Sequence, residues 1–145
     1  MKPPLTFVIV DDVEENRFLI AKTLGRKFPE SSIIECLDST AAVSAVEQHK
    51  PAAVIVHRGF DIKGPEMVRL LRQMAPTLPL IMVSSRETCP EAIEAGANAF
   101  LNYDAWLRIG TVVAEVLSPN YVKPLTRTPF KAASDFLGFR PGGRQ

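Results

Sequence analysis

The chain has 145 residues, with 17 lysines and arginines against 16 aspartates and glutamates, and 46% of its residues are hydrophobic. This length fits one domain, and this composition excludes global disorder. No apolar run approaches the roughly 18 residues of a membrane-spanning helix, and residues 7–10 are too short for the core of a secretory signal. Cys36 and Cys89 form neither a disulfide framework nor a metal-binding spacing, so we expect a cytoplasmic protein.

The net charge of +1 conceals two unlike segments. Residues 118–145 hold five basic residues, one acid and four of the 12 prolines, whereas residues 1–117 carry a net charge of −3. We therefore predict a folded domain over 1–117 and a basic, proline-containing tail over 118–145. The tail is too short for a helix-turn-helix output module. A helix-start signature at Thr128-Pro129 predicts a short helix over 129–137.

Short apolar runs alternate with helical patterns along the domain. The first, third and fourth runs lack apolar/polar alternation, which is typical of strands covered by helices on both faces. The predicted strands cover 7–10, 33–36, 53–56, 80–83 and 99–101, and the predicted helices cover 14–28, 40–49, 65–74, 90–95 and 104–117, the last with Asp104 as its N-cap. This alternation predicts an α/β fold, (βα)₅, with a doubly wound five-stranded parallel sheet.

Polar residues follow the predicted strands, where ligands bind in sheets of this kind. Asp11 and Asp12 follow the first strand, His57 the third, Ser84 the fourth and Tyr103 the fifth. Adjacent carboxylates repel each other unless a cation lies between them. The two aspartates therefore belong to an oxygen-ligand divalent site, or they only cap the turn and the next helix.

Four motifs in order resemble the receiver domains of two-component response regulators over about residues 5–117. They are VDD at 10–12 with Asn16-Arg17, PAAVIV at 51–56, PLIMVSS at 79–85 and EAGANAFL at 94–101. The resemblance implies a flavodoxin-like sheet of strand order 2-1-3-4-5. It also implies a phospho-acceptor Asp after the third strand, a Mg²⁺ held by that Asp and two acids after the first strand, and phosphoryl ligands after the fourth and fifth strands.

Several positions match this pattern. Asp11 and Asp12 match the acid pair, Ser84 matches the hydroxyl that follows the phosphoryl group, and Phe100 matches the aromatic switch. Ser84 equally suits a turn cap, and Phe100 equally suits the core.

Two positions at the centre of the chemistry depart from the pattern. His57 stands at the phospho-acceptor position, and Tyr103 stands where the resemblance places a lysine. Imidazole is a poor ligand for Mg²⁺, and the cation that would neutralise a phosphoryl group is missing. We therefore predict a degenerate receiver with no Mg²⁺ or other cofactor, since only Asp11 and Asp12 remain as oxygen ligands.

His57 itself admits four interpretations. It ion-pairs with Asp11 or Asp12 in place of the metal charge, because a nearby carboxylate favours the imidazolium form. Alternatively it senses pH, forms a transition-metal site with Asp12, or is itself phosphorylated.

The sequence predicts a stand-alone, phosphorylation-independent protein-interaction module in two-component-type signalling, and no enzyme activity. One alternative is a phosphorelay receiver phosphorylated on Asp11, Asp12 or Asp61. Another is a DNA-associated adaptor that uses the basic tail, although basic charge alone is a weak signal for nucleic acid.

The expected partners are signalling proteins or a second copy of the chain, and neither a membrane nor nucleic acid is expected. The resemblance places the output face at about residues 90–117. Trp106 and Arg108 are of the residue types that anchor interfaces, and Trp106 alternatively packs into its own core.

Overall fold

The computed structural model describes residues 4–124, and these form a five-stranded parallel sheet with helices on both faces. The strands are β1 (Thr6–Val10), β2 (Ser32–Cys36), β3 (Ala53–Val56), β4 (Leu80–Ser84) and β5 (Ala99–Asn102). They lie in the order β2-β1-β3-β4-β5, and every pairing is parallel. The predicted α/β class and strand order are therefore confirmed.

Within this part of the chain, five α-helices and one 3₁₀ helix connect the strands. They are α1 (Glu14–Lys27), α2 (Ser39–His49), α3 (Gly64–Met74), α4 (Cys89–Ala95), the 3₁₀ helix (Tyr103–Arg108) and α5 (Ile109–Val116). Because successive strand residues point to opposite faces, β1 supplies two cores. Phe7 and Ile9 belong to the core under α1 and α5, and Val8 and Val10 belong to the core under α2, α3 and α4.

The last predicted helix, 104–117, is two elements in the structure. The 3₁₀ helix comes first, and Ala105 within it has non-helical backbone angles (φ −103°, ψ 24°). The expectation that Asp104 is the N-cap is wrong, because the Asn102 side chain accepts a hydrogen bond from the Asp104 amide at 3.0 Å. Asn102 still has the extended backbone of the strand end, as an N-cap residue must.

A set of hydrogen bonds fixes the amino edge of β5. The Arg72 guanidinium donates to the carbonyls of Gly96 (2.9 Å) and Ala75 (3.0 Å) and to the side-chain oxygen of Asn98 (2.8 Å). Tyr121 donates to the backbone carbonyl of Asn98 at 2.6 Å. Because Asn98 immediately precedes β5, the chain beyond α5 is held against this edge.

No helix among residues 4–124 is both long and apolar enough to cross a membrane. The predicted helix over 129–137 lies outside the described residues. The division of the chain at residue 117 stays a prediction.

Candidate functional site

The strand register brings the polar positions that follow the strands together at the carboxyl edge of the sheet. Val10 pairs with Val56, Val56 with Met82, and Met82 with Phe100. The residues just beyond these positions therefore share one edge, which is where sheets of this kind bind ligands. The side chains there pair with one another in a way the sequence showed only in part.

Asp11 lies in the interior and makes three contacts. Its Oδ1 accepts a hydrogen bond from the Val13 amide at 3.0 Å. Its Oδ2 lies 3.0 Å from His57 Nδ1 and accepts from the Tyr103 hydroxyl at 3.3 Å. Burial alone would raise the pKa of the Asp11 carboxyl, but the hydrogen bonds and the charge of His57 outweigh burial and lower that pKa. Asp11 is therefore ionised at neutral pH.

His57 is held in one orientation by its neighbours. Its amide donates to the Val10 carbonyl at 2.9 Å, and its side chain is only 11% exposed. Its ring centroid lies 4.7 Å from that of Tyr103. Because an ionised carboxylate only accepts hydrogen bonds, the hydrogen between His57 and Asp11 belongs to Nδ1. Of the two possible partners that the sequence offered, the structure places His57 on Asp11.

Tyr103 takes the place of the lysine that the resemblance implies, but it carries no positive charge. Burial, followed by the Asp11 carboxylate, raises the pKa of the Tyr103 hydroxyl. The phenol therefore keeps its proton and donates to Asp11. Sequence reasoning identified the missing cation but did not foresee that the replacement would bind the acid pair.

Asp12 pairs with a different residue. Arg58 Nε lies 3.1 Å from Asp12 Oδ1, and the two side chains are 42% and 23% exposed. The signal for this pair was present in the sequence, since Arg58 directly follows His57 at the end of β3. The structure thus separates the two acids: Asp11 is neutralised inside by His57, and Asp12 near the surface by Arg58.

These residues do not fit the Mg²⁺ ion that the fold implies. Magnesium needs nearly octahedral oxygen ligands, whereas one oxygen of each aspartate already binds a donor from the chain and His57 offers nitrogen. Within residues 4–124, no group of three or more His, Cys, Asp or Glu side chains is arranged to hold a metal ion. The transition-metal interpretation loses its ligand pair too, because His57 pairs with Asp11 and Asp12 with Arg58.

Ser84 is buried, and the turn after β4 uses its hydroxyl. Its Oγ donates to the Glu87 carboxylate and accepts from the amides of Arg86 (3.0 Å) and Glu87 (3.1 Å). The turn-capping interpretation of Ser84 therefore describes its contacts. Phe100 is partly buried against the core under α2, α3 and α4.

Asp61, the displaced acceptor considered from the sequence, lies in the loop after β3. Gly59 and Ile62 form an antiparallel bridge, which folds this loop back on itself. Asp61 accepts hydrogen bonds from the amide and hydroxyl of Ser39, at the start of α2. These hydrogen bonds lower the pKa of the Asp61 carboxyl. Its carboxylate thus caps a helix and makes no recorded contact with Asp11 or His57 within the described chain.

The predicted output face contains both buried and exposed side chains. Trp106 is partly buried, so neither of its two interpretations is excluded, and Arg108 is exposed. Between them, Leu107 is 65% exposed.

Comparison with known proteins places this geometry in a wider group. A sequence model described as Response regulator receiver domain matches residues 7–104. A glycerol metabolism activator of Pseudomonas putida is 26% identical over 149 residues, which cover 92% of this chain and 66% of the activator. The chain thus spans slightly less than two thirds of that relative.

Solved structures share the fold at lower identity. The receiver domain of NtrX from Brucella abortus superposes with a TM-score of 0.63 at 24% identity, covering 75% of this chain and 98% of that domain. A LuxR-family two-component response regulator from Aurantimonas sp. gives 0.71 at 18% identity, covering 84% and 91%. Against a longer NtrX chain, the match covers only 28% of that chain.

Proposed function

Because this chain belongs to the response regulator receiver domain family, we propose that it is a degenerate receiver that acts by protein–protein contact. In this proposal it works in two-component-type signal transduction without being phosphorylated and without catalysing a reaction. The family membership rests on the match over residues 7–104. The degenerate character rests on the site.

One observation carries the proposal: the imidazole of His57 lies 3.0 Å from the buried Asp11 carboxylate. At this position the family pattern calls for a carboxylate that accepts the phosphoryl group. The His57 ring and the Arg58 guanidinium supply positive charge to Asp11 and Asp12 from within the chain, where the pattern uses Mg²⁺. A built-in cation does not dissociate, so the site favours one charge state.

Other aspartates offer poor replacements for the acceptor. Asp61 is bound to Ser39 at the start of α2. Asp11 has no exposed surface, and Asp12 is paired with Arg58. A carboxylate engaged in this way would have to give up its partners before it could attack a phosphoryl group.

We also propose that the face formed by residues 90–117 is where the chain meets its protein partner, including a second copy of itself. Leu107 and Arg108 are exposed side by side there, with Trp106 partly buried beside them. Light scattering after size-exclusion chromatography tests self-association through this face. We expect a concentration-dependent mass that Leu107→Glu returns to that of a monomer, while Phe18→Glu on α1, also more than half exposed, leaves it unchanged.

The proposal is tested by incubation with acetyl phosphate and Mg²⁺, followed by intact-mass measurement. We expect no phosphoryl adduct on the natural chain. His57→Asp alone should gain little labelling, because Tyr103 still supplies no cation, and His57→Asp combined with Tyr103→Lys should gain more. A stable acyl-phosphate adduct on the natural chain would refute the proposal.

A further inference from the structure

A small cleft opens beside His57, between the loop after β3 and the loop after β4. Its volume is about 160 Å³. Four of its lining residues have nitrogen-bearing side chains of the kind that bind anions: His57, Arg58, Lys63 and Arg86. Glu87 is the one acidic residue among the described residues that line it. We call this the cationic cleft.

Two of these cations are not neutralised by the fold. Arg58 is paired with Asp12, and Glu87 is held by the Ser84 hydroxyl. In contrast, the side chains of Lys63 and Arg86 form no hydrogen bond or ion pair with any residue of the range 4–124. Both are exposed, and both line the cleft. The cleft therefore has positive charge left over after its internal pairs are counted.

The backbone adds a favourable field from another direction. Helix α3 begins at Gly64, which lines the cleft, and the preceding Lys63 makes no side-chain cap. The first amides of a helix carry partial positive charge and attract anions. A Cβ atom on Gly64 would lie 2.4 Å from the His57 carbonyl oxygen, so only glycine allows this close approach between the helix start and His57.

We propose that the cationic cleft binds a small oxyanion, a phosphate or a carboxylate group, non-covalently and without a metal ion. Pockets for drug-sized ligands measure about 300–1,000 Å³, so a cleft of about 160 Å³ suits a single anionic group. The resemblance to receivers gives no role to Arg58, Lys63 or Arg86. The residues it does assign are engaged elsewhere, since Ser84 binds Glu87 and Tyr103 binds Asp11.

The probes are inorganic phosphate and acetate, each titrated into the full chain at constant ionic strength with a chelator present. Amide chemical shifts are followed by NMR. We expect saturable shifts centred on Gly64, Arg86 and Glu87. Saturation by phosphate but not acetate assigns the cleft to a phosphate-type ligand, and tighter binding of acetate assigns it to a carboxylate. If neither anion saturates, the proposal is wrong.

Charge variants give the binding a predicted sign. Lys63→Met or Arg86→Met should weaken binding roughly threefold to tenfold, because each removes one charged hydrogen-bond donor. Glu87→Gln should strengthen binding, since it removes the acid while keeping an acceptor for Ser84. The matched control is Arg69→Met, which removes an exposed cation of α3 that does not line the cleft. Equal weakening in the control would mean general charge screening and would overturn the site.

This inference and the proposed function fail separately. Phosphate bound here is released on dialysis and leaves the mass of the chain unchanged. A covalent adduct would contradict the proposed function alone, whereas loss of saturable binding would contradict the oxyanion site alone.

Discussion

Replacing His57 by leucine tests the central contact of the site. The change leaves the Asp11 carboxylate, which has no exposed surface, with only the neutral donors Val13 and Tyr103. Breaking a buried ion pair by removing one partner costs about 3–5 kcal/mol, because the remaining charge stays desolvated. We expect the free energy of unfolding to fall by about this amount at pH 7, against a total of about 5–15 kcal/mol for a typical domain.

A double-mutant cycle separates this cost from general damage. Asp11→Asn removes the charge at nearly constant shape, so His57→Leu should cost less in that background. The coupling energy should be at least about 1.5 kcal/mol, since the two side chains are in direct contact. Arg58→Met is the matched control. Its pair with Asp12 is 42% and 23% exposed, and its loss should cost at most about 1 kcal/mol.

The pH dependence has a sign fixed by Asp11. Its pKa is lowered in the folded state, so its contribution is complete above the unfolded value of about 3.9 and is lost as the pH falls through the folded pKa. In His57→Leu, burial without the imidazole raises the pKa of Asp11. The penalty in that variant therefore shrinks as the pH falls through the raised value, and the two proteins differ most near neutral pH.

Urea unfolding followed by the fluorescence of Trp106, the one tryptophan in the sequence, measures these energies. With a slope of roughly 1.5 kcal/mol per molar urea, the midpoint should fall by about 2–3 M. If His57→Leu does not fold, His57→Gln, which keeps a neutral donor, takes its place with a smaller loss. A cost below about 1 kcal/mol, or additivity with Asp11→Asn, would refute the assignment of a buried ion pair.

Two further predictions concern stability and use thermal unfolding. Gly64→Ala should destabilise the fold by about 1–3 kcal/mol because its Cβ would meet the His57 carbonyl at 2.4 Å, whereas Gly25→Ala, whose Cβ has 3.9 Å to its nearest neighbour, should be neutral or stabilise α1 by up to about 1 kcal/mol. Equal effects would contradict the close approach. Arg72→Met should cost about 2–3 kcal/mol because it leaves buried carbonyls unpaired at the amino edge of β5, and the exposed Arg69→Met should change stability by less than about 0.5 kcal/mol.

The architecture was predictable because the apolar runs carry a strong signal. The runs 7–10 and 53–56 are apolar throughout, and a strand covered on both faces cannot tolerate polar positions. Element ends were less predictable, because they depend on single hydrogen bonds. The start of the last helix illustrates this: Asn102 and Asp104 are both good caps by residue type, and only the chain path places the Asn102 oxygen on the Asp104 amide.

The candidate site was predictable as a set of positions but not as a set of contacts. Position in the motif marks His57 and Tyr103 as replacements, and charge suggests that His57 pairs with an acid. Which acid it takes depends on side-chain directions that the sequence does not encode locally. The partnership of Arg58 with Asp12 was missed for the same reason, since a charged loop residue is usually solvated.

The hydrogen bond from Tyr121 to Asn98 has a consequence for how partners can use this molecule. It places the start of residues 125–145 near the amino edge of β5, and the four residues of that strand, at about 3.3 Å each, put the carboxyl edge roughly 13 Å away. Changes at His57 and truncation after Pro124 therefore act at opposite ends of the sheet, and their effects on binding should add. A partner sensitive to both needs a footprint that runs the full height of the domain, whereas a smaller partner responds to only one of them.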